Sequence, residues 1–131
     1  MADELTVKQT NNHVTVLHLS GHLHANTEGT FMDYLSRAKD SGARFLLVDL
    51  SGVEVISSAG LRALHNGFKM FTPTDEVEKW QKENPGDIYK SPYFKLAGAS
   101  GNVYYVLNLA GFLHNIPIFP TLQDAINSFE K

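Results

Sequence analysis

The chain has no cysteine in its 131 residues, which excludes disulfides, thiol nucleophiles and thiolate metal sites together. It has no excess of positive charge: 11 Lys and Arg stand against 14 Asp and Glu, for a formal net charge of −3. Binding to phosphate backbones or anionic lipid needs clustered cations, so nucleic acid and the membrane surface are set aside as first readings. No apolar run approaches the ~18 residues of a membrane span. Met1-Ala-Asp-Glu4 offers no basic start followed by an apolar segment, so no secretory leader is read there. The expectation is a soluble cytoplasmic protein. With hydrophobic residues at 43%, its length suits one core better than two, giving a single domain over 1–131.

What is present alternates between two periods. Leu5 and Val7 sit among polar neighbours, Val14-Thr-Val-Leu-His-Leu19 is β-branched, and Asn11-Asn12 between them signals a turn, predicting an opening hairpin. Phe31, Leu35 and Ala38 then recur at helical spacing behind the possible caps Asn26 and Thr27, and Ser41-Gly42 ends the segment. Phe45-Leu-Leu-Val-Asp-Leu50 is nearly unbroken apolar sequence, too short for a typical helix, and reads as a central strand covered on both faces. Leu61, Leu64, Phe68 and Phe71 form the stripe of a second helix beginning at Ser57-Ser58.

Tyr93 to Ala97 predicts another strand, and Val103, Val106, Leu107 and Ala110 a helix stopped by Gly111. Ile116 to Phe119 predicts a short strand, placed at an edge by Pro117, and Leu122, Ala125, Ile126 and Phe129 a last helix behind Thr121. The order β-β-α-β-α-β-α-β-α, with about four helices, predicts an α/β fold with one mixed sheet. Residues 72–92 interrupt the pattern as a polar insertion between Pro73 and Pro92, in which Thr74 is a possible cap of a short helix carrying Val77 and Trp80 on one face.

The segment from Val48 to Leu61 delivers two hydroxyls, Ser57 and Ser58, from a buried strand to a helix N-terminus. The free N–H groups and positive dipole end there favour added negative charge. A phosphate would convert a neutral surface into one carrying about −1.5 to −2 charges without unfolding the domain. On spacing alone ordinary capping is the better account, since a serine before a helix is among the commonest caps and needs no further function.

Asp49-Leu-Ser-Gly-Val-Glu-Val-Ile-Ser-Ser-Ala-Gly-Leu61 resembles the signature of STAS domains, the family of bacterial anti-sigma factor antagonists and of sulfate-transporter C-terminal domains. Ser20-Gly21-His-Leu23 resembles that family's G-x-L-D turn, Leu109-Ala-Gly-Phe112 its late glycine turn, and Phe119 to Ala125 the opening of its final helix. The resemblance implies the element order read above. It also implies a regulatory protein rather than an enzyme, with no cofactor. Its partner would be an anti-sigma factor or a serine kinase of the histidine-kinase-like ATPase type, with a serine phosphatase as a further partner. Ser58 matches the phosphoacceptor, with Ser57 as the alternative. The implied docking surface comprises Gly21, His22, Leu23, His24, Ser57, Ser58, Ala59, Gly60 and Leu61. Two positions depart from the pattern, since Ser57 and His24 stand where the family has acids. A module that is never phosphorylated, serving as a scaffold or as a sensor of small anions or nucleotides, is the alternative.

Other constellations read blandly. His22 and His24 are two apart and lack an evident third ligand, so no metal site is expected. Ile56-Ser-Ser-Ala-Gly60 lacks the first glycine of a hydrolase elbow, which makes a hydrolase the remote reading. Gly98-Ala-Ser-Gly101 has no P-loop lysine and reads as a plain strand-to-helix turn. Trp80, Tyr89 and Tyr93 suit either a contact patch or a pin that fastens the insertion, and His65 and Lys69 mark the solvent face of the second helix.

Overall fold

The structure is a computed structural model that describes residues 5–11, 13–111 and 114–129. Met1 to Glu4, Asn12 of the hairpin turn and Phe112 of the late glycine turn lie outside them. Among the described residues five strands, β1 (Leu5–Asn11), β2 (Thr15–Leu23), β3 (Leu46–Ile56), β4 (Phe94–Ala97) and β5 (Ile118–Phe119), lie side by side in chain order. β1 and β2 pair antiparallel as a hairpin, and β2 through β5 are parallel. The crossovers carry α1 (Glu28–Asp40), α2 (Ser58–Phe71), α3 (Thr74–Glu83) and α4 (Gly101–Leu109), and α5 (Leu122–Ser128) follows β5.

The apolar run of β3 is the middle strand because it can be buried on both sides. Leu46, Val48 and Leu50 turn toward α1, α2 and α4, meeting Phe31, Leu35, Leu64, Phe68, Val103 and Leu107 in the larger core. Leu47 turns the other way, into a smaller cluster with Val16, Ala97, Ala125 and Phe129 under α5. β5 has only two residues and forms the edge, as Pro117 before it requires.

Among the described residues there are five helices where about four were expected. The fifth, α3, is the short helix read within 72–92, and its Val77 and Trp80 pack on the larger core. Its N-cap is Pro73 rather than Thr74, and no side chain caps it. Trp80 meets Tyr89 edge to face at 5.6 Å, and the hydroxyls of Tyr89 and Tyr93 donate to the two Glu76 oxygens at 3.1 and 2.7 Å. Burial and this carboxylate hold the Tyr89 hydroxyl protonated. The aromatics therefore fasten α3 to the body.

On the second sheet face a side-chain hydrogen bond joins β2 to β3. His18 Nδ1 approaches Asp49 Oδ2 at 2.8 Å across β2 and β3, and Asp49 Oδ1 accepts from the Ser51 amide at 3.0 Å. Burial alone would raise the Asp49 pKa, but the hydrogen bonds from His18 and Ser51 outweigh it and the value is lowered. A carboxyl depressed on folding contributes stability above its unfolded value near 3.9, and loses it as pH falls through the folded value. Asp49→Asn is expected to cost ~1–2 kcal/mol at neutral pH and progressively less as pH falls through the lowered Asp49 value. Urea denaturation over a descending series of pH values checks this, and a cost that does not shrink in acid would contradict it.

Candidate functional site

The end of β2, the end of β3 and the first turn of α2 meet at one corner of the sheet. Leu23 pairs in register with Ile56, and the Ser57 amide donates to the Leu23 carbonyl at 3.0 Å. Gly60 makes this approach possible, because a Cβ there would lie 2.4 Å from that same Leu23 oxygen. Gly21 takes φ of +110°, a conformation open to glycine, where β2 shifts register against β3.

The two serines are not equivalent. Ser57 is the N-cap of α2, with extended backbone, and its half-buried hydroxyl accepts from the Gly60 amide at 3.4 Å. Ser58 is the first helical residue, is exposed, and makes no side-chain hydrogen bond to any described residue. One hydroxyl is committed to the helix end and the other faces solvent.

The β2 turn is closed by local bonds. Thr27 Oγ1 donates to the His22 carbonyl at 2.7 Å and accepts from the His24 amide at 3.0 Å, so the α1 N-cap is tied to the strand rather than to its own helix. His24 Nδ1 accepts from the Asn26 amide at 3.2 Å, the i to i+2 bond that an Asp carboxylate makes in an Asx turn. His22 Nε2 lies 3.3 Å from Glu54 Oε1, and the two imidazoles stand edge to face at 5.9 Å. Both departures from the family pattern thus keep an acceptor, on His24 and Ser57, and remove its negative charge. Among the described residues no group of three or more His, Cys, Asp or Glu is arranged to hold a metal ion.

Of the residues singled out from the sequence, Leu23, Ala59 and Gly60 are buried and form the floor of the corner. Gly21, His22, His24, Ser57 and Leu61 are half-buried, and Ser58 is exposed. Three neighbours went unrecognised. Glu54 holds His22, Val55 is an apolar side chain left 46% exposed at the end of β3, and Arg62 is exposed four residues after Ser58. Arg62 was legible from helical spacing, which sets i and i+4 on one stripe. Strand alternation gives no sign that Val55 stays uncovered.

A profile of the STAS domain matches residues 5–75, more than half of the chain. The chain belongs to the STAS domain family. No curated protein matches this STAS chain in sequence. Solved structures do match it in shape. An anti-sigma factor antagonist from Mycobacterium paratuberculosis superposes with a TM-score of 0.80 at 21% identity, over 100% of this chain and 98% of that one. An anti-sigma-factor antagonist (STAS) domain protein from Planctomyces limnophilus gives 0.71 at 22%, over 95% and 98%. The Bacillus cell fate determinant SpoIIAA in its phosphorylated form gives 0.59 at 15%, over 95% and 97%. At such identities the likeness is one of fold. No helix among the described residues is long and apolar enough to cross a membrane.

Proposed function

We propose that this STAS domain is a regulatory binding protein of the cytoplasm, not an enzyme. Its β2 and α2 corner docks an anti-sigma factor or a serine kinase of the histidine-kinase-like ATPase type. Phosphorylation of Ser58 releases the partner, and a serine phosphatase resets the domain. The observation that carries the reading is the division of labour between the serines, with Ser57 occupied as cap and Ser58 exposed on the first turn of α2.

Around Ser58 the exposed Val55 and the half-buried Leu61 supply apolar contact, and His22 and His24 a polar margin. A phosphate on Ser58 would sit against the positive end of α2, with Arg62 on the same stripe, so the fold would tolerate it. A partner that had buried Val55 and Leu61 would meet a desolvated dianion instead of a hydroxyl, and would leave. The lost acids at Ser57 and His24 favour a second reading, a scaffold or a sensor of small anions or nucleotides that is never phosphorylated.

Incubation with the ATPase-type kinase and ATP, followed by mass spectrometry, tests the switch. Phosphate on Ser58 is expected, abolished by Ser58→Ala. Modification confined to Ser57, or none, would overturn it.

A further inference from the structure

His24 directly follows Leu23, whose carbonyl accepts the Ser57 amide at 3.0 Å, so it stands next to the first turn of α2. Its backbone is held on both sides. The amide donates to Thr27 Oγ1 at 3.0 Å, and the carbonyl accepts from the Thr27 and Glu28 amides at 3.0 and 2.8 Å. The ring is held as well, because Nδ1 accepts from the Asn26 amide at 3.2 Å and His22 packs against it edge to face. An imidazole nitrogen that accepts carries no proton, so the neutral ring keeps its proton on Nε2. That N–H has no partner among the described residues. Nor is it sealed from solvent, since no buried side-chain nitrogen or oxygen among them lacks a partner. His24 therefore presents a fixed donor, where an Asp would present only acceptors.

We propose that His24 selects a protein partner that brings a carboxylate, the side chain of an Asp or Glu, to this corner. The proposal rests on the docking role of the corner and names the chemistry of what docks there. The charges around His24 point the same way. Arg62 is exposed and makes no ion pair with a described residue, and the N-terminus of α2 adds the positive end of its dipole. The neighbouring acids are engaged: Glu54 lies 3.3 Å from His22 Nε2, and Glu28 occupies the first turn of α1, against that helix's own positive end. On a chain of net charge −3, the corner thus offers donors and a cation. A carboxylate accepts from such a donor more strongly than a neutral carbonyl does. It also fits release, because a phosphate on Ser58 repels a carboxylate, whereas it would attract a Lys or Arg and tighten the docking.

Calorimetric titration of the full chain against the ATPase-type partner tests this with two variants of one shape. His24→Asn and His24→Asp each keep a side-chain oxygen to accept from the Asn26 amide, as in an Asx turn. They differ in offering an amide N–H donor or a second carboxylate oxygen. The Asn variant is expected to bind at least about tenfold tighter than the Asp variant. Lys79→Glu, a larger change of charge on α3 beyond the other end of α2, is expected to leave affinity as in the wild type. Equal affinity of the two His24 variants would overturn the proposal, and so would tighter binding by His24→Asp, which assigns a cation to the partner. Ser58→Asp separates the two levels of the account. If it weakens binding while the His24 variants bind alike, the corner docks and only the carboxylate is wrong; if the wild type does not bind at all, both fall.

Discussion

Gly60→Ala is expected to cost of the order of 3 kcal/mol, with the midpoint of urea denaturation falling sharply. The reason is contact rather than conformation. The added methyl would lie 2.4 Å from the Leu23 carbonyl oxygen and 2.8 Å from Ile56 Cγ1, and a backbone oxygen held in a sheet cannot turn aside as a side chain can. Relief requires α2 to move off β2, which stretches the bond from the Ser57 amide to that same Leu23 carbonyl. A loss of this size is a large share of the ~5–15 kcal/mol that holds a typical domain together. It would also displace Ser58 from the corner. Gly29→Ala in α1 is the matched comparison, since nothing lies within 4 Å of the Cβ it would add. There the same chemical change is expected to stabilise by roughly 0.5–1 kcal/mol. If Gly60→Ala unfolds like the wild type, the close approach of α2 to β2 is wrong.

The elements that sequence alone could place were those whose period answers a single question. Leu46 to Leu50 had to be a doubly covered strand, and Phe31, Leu35 and Ala38 one face of a helix, because no other arrangement buries them. The corner was half legible. A serine pair before a helix stripe located it, but the roles of Ser57 and Ser58 differ through one hydrogen bond and a difference in exposure that local spacing does not carry. Val55 shows the complementary limit: alternation says which way a strand residue points, not whether another layer covers it. His18 and Asp49 are 31 residues apart in sequence, and only the parallel register of β2 on β3 brings them together. Trp80, Tyr89 and Tyr93 read equally as patch or pin until Glu76 was seen accepting from both tyrosines. The acceptor role of His24 was hidden because the residue type suggested lost charge rather than a kept hydrogen bond.

Ser58→Asp is the second large effect expected, on binding rather than stability. An acid at the first position of α2 suits the helix dipole, so the variant should fold as the wild type does. Toward a partner seated on Val55 and Leu61 it places a charge that must be desolvated on docking, a penalty of several kcal/mol in a closed interface. Since a single carboxylate carries less charge than a phosphate, about 3 kcal/mol is expected, near a hundredfold in affinity. Ser58→Ala leaves the face neutral and should bind like the wild type. Calorimetric titration of the ATPase-type partner with wild type, Ser58→Ala and Ser58→Asp tests the central claim most directly. The account predicts equal affinity for the first two and a loss of about a hundredfold for the third, and equal affinity for all three would contradict it.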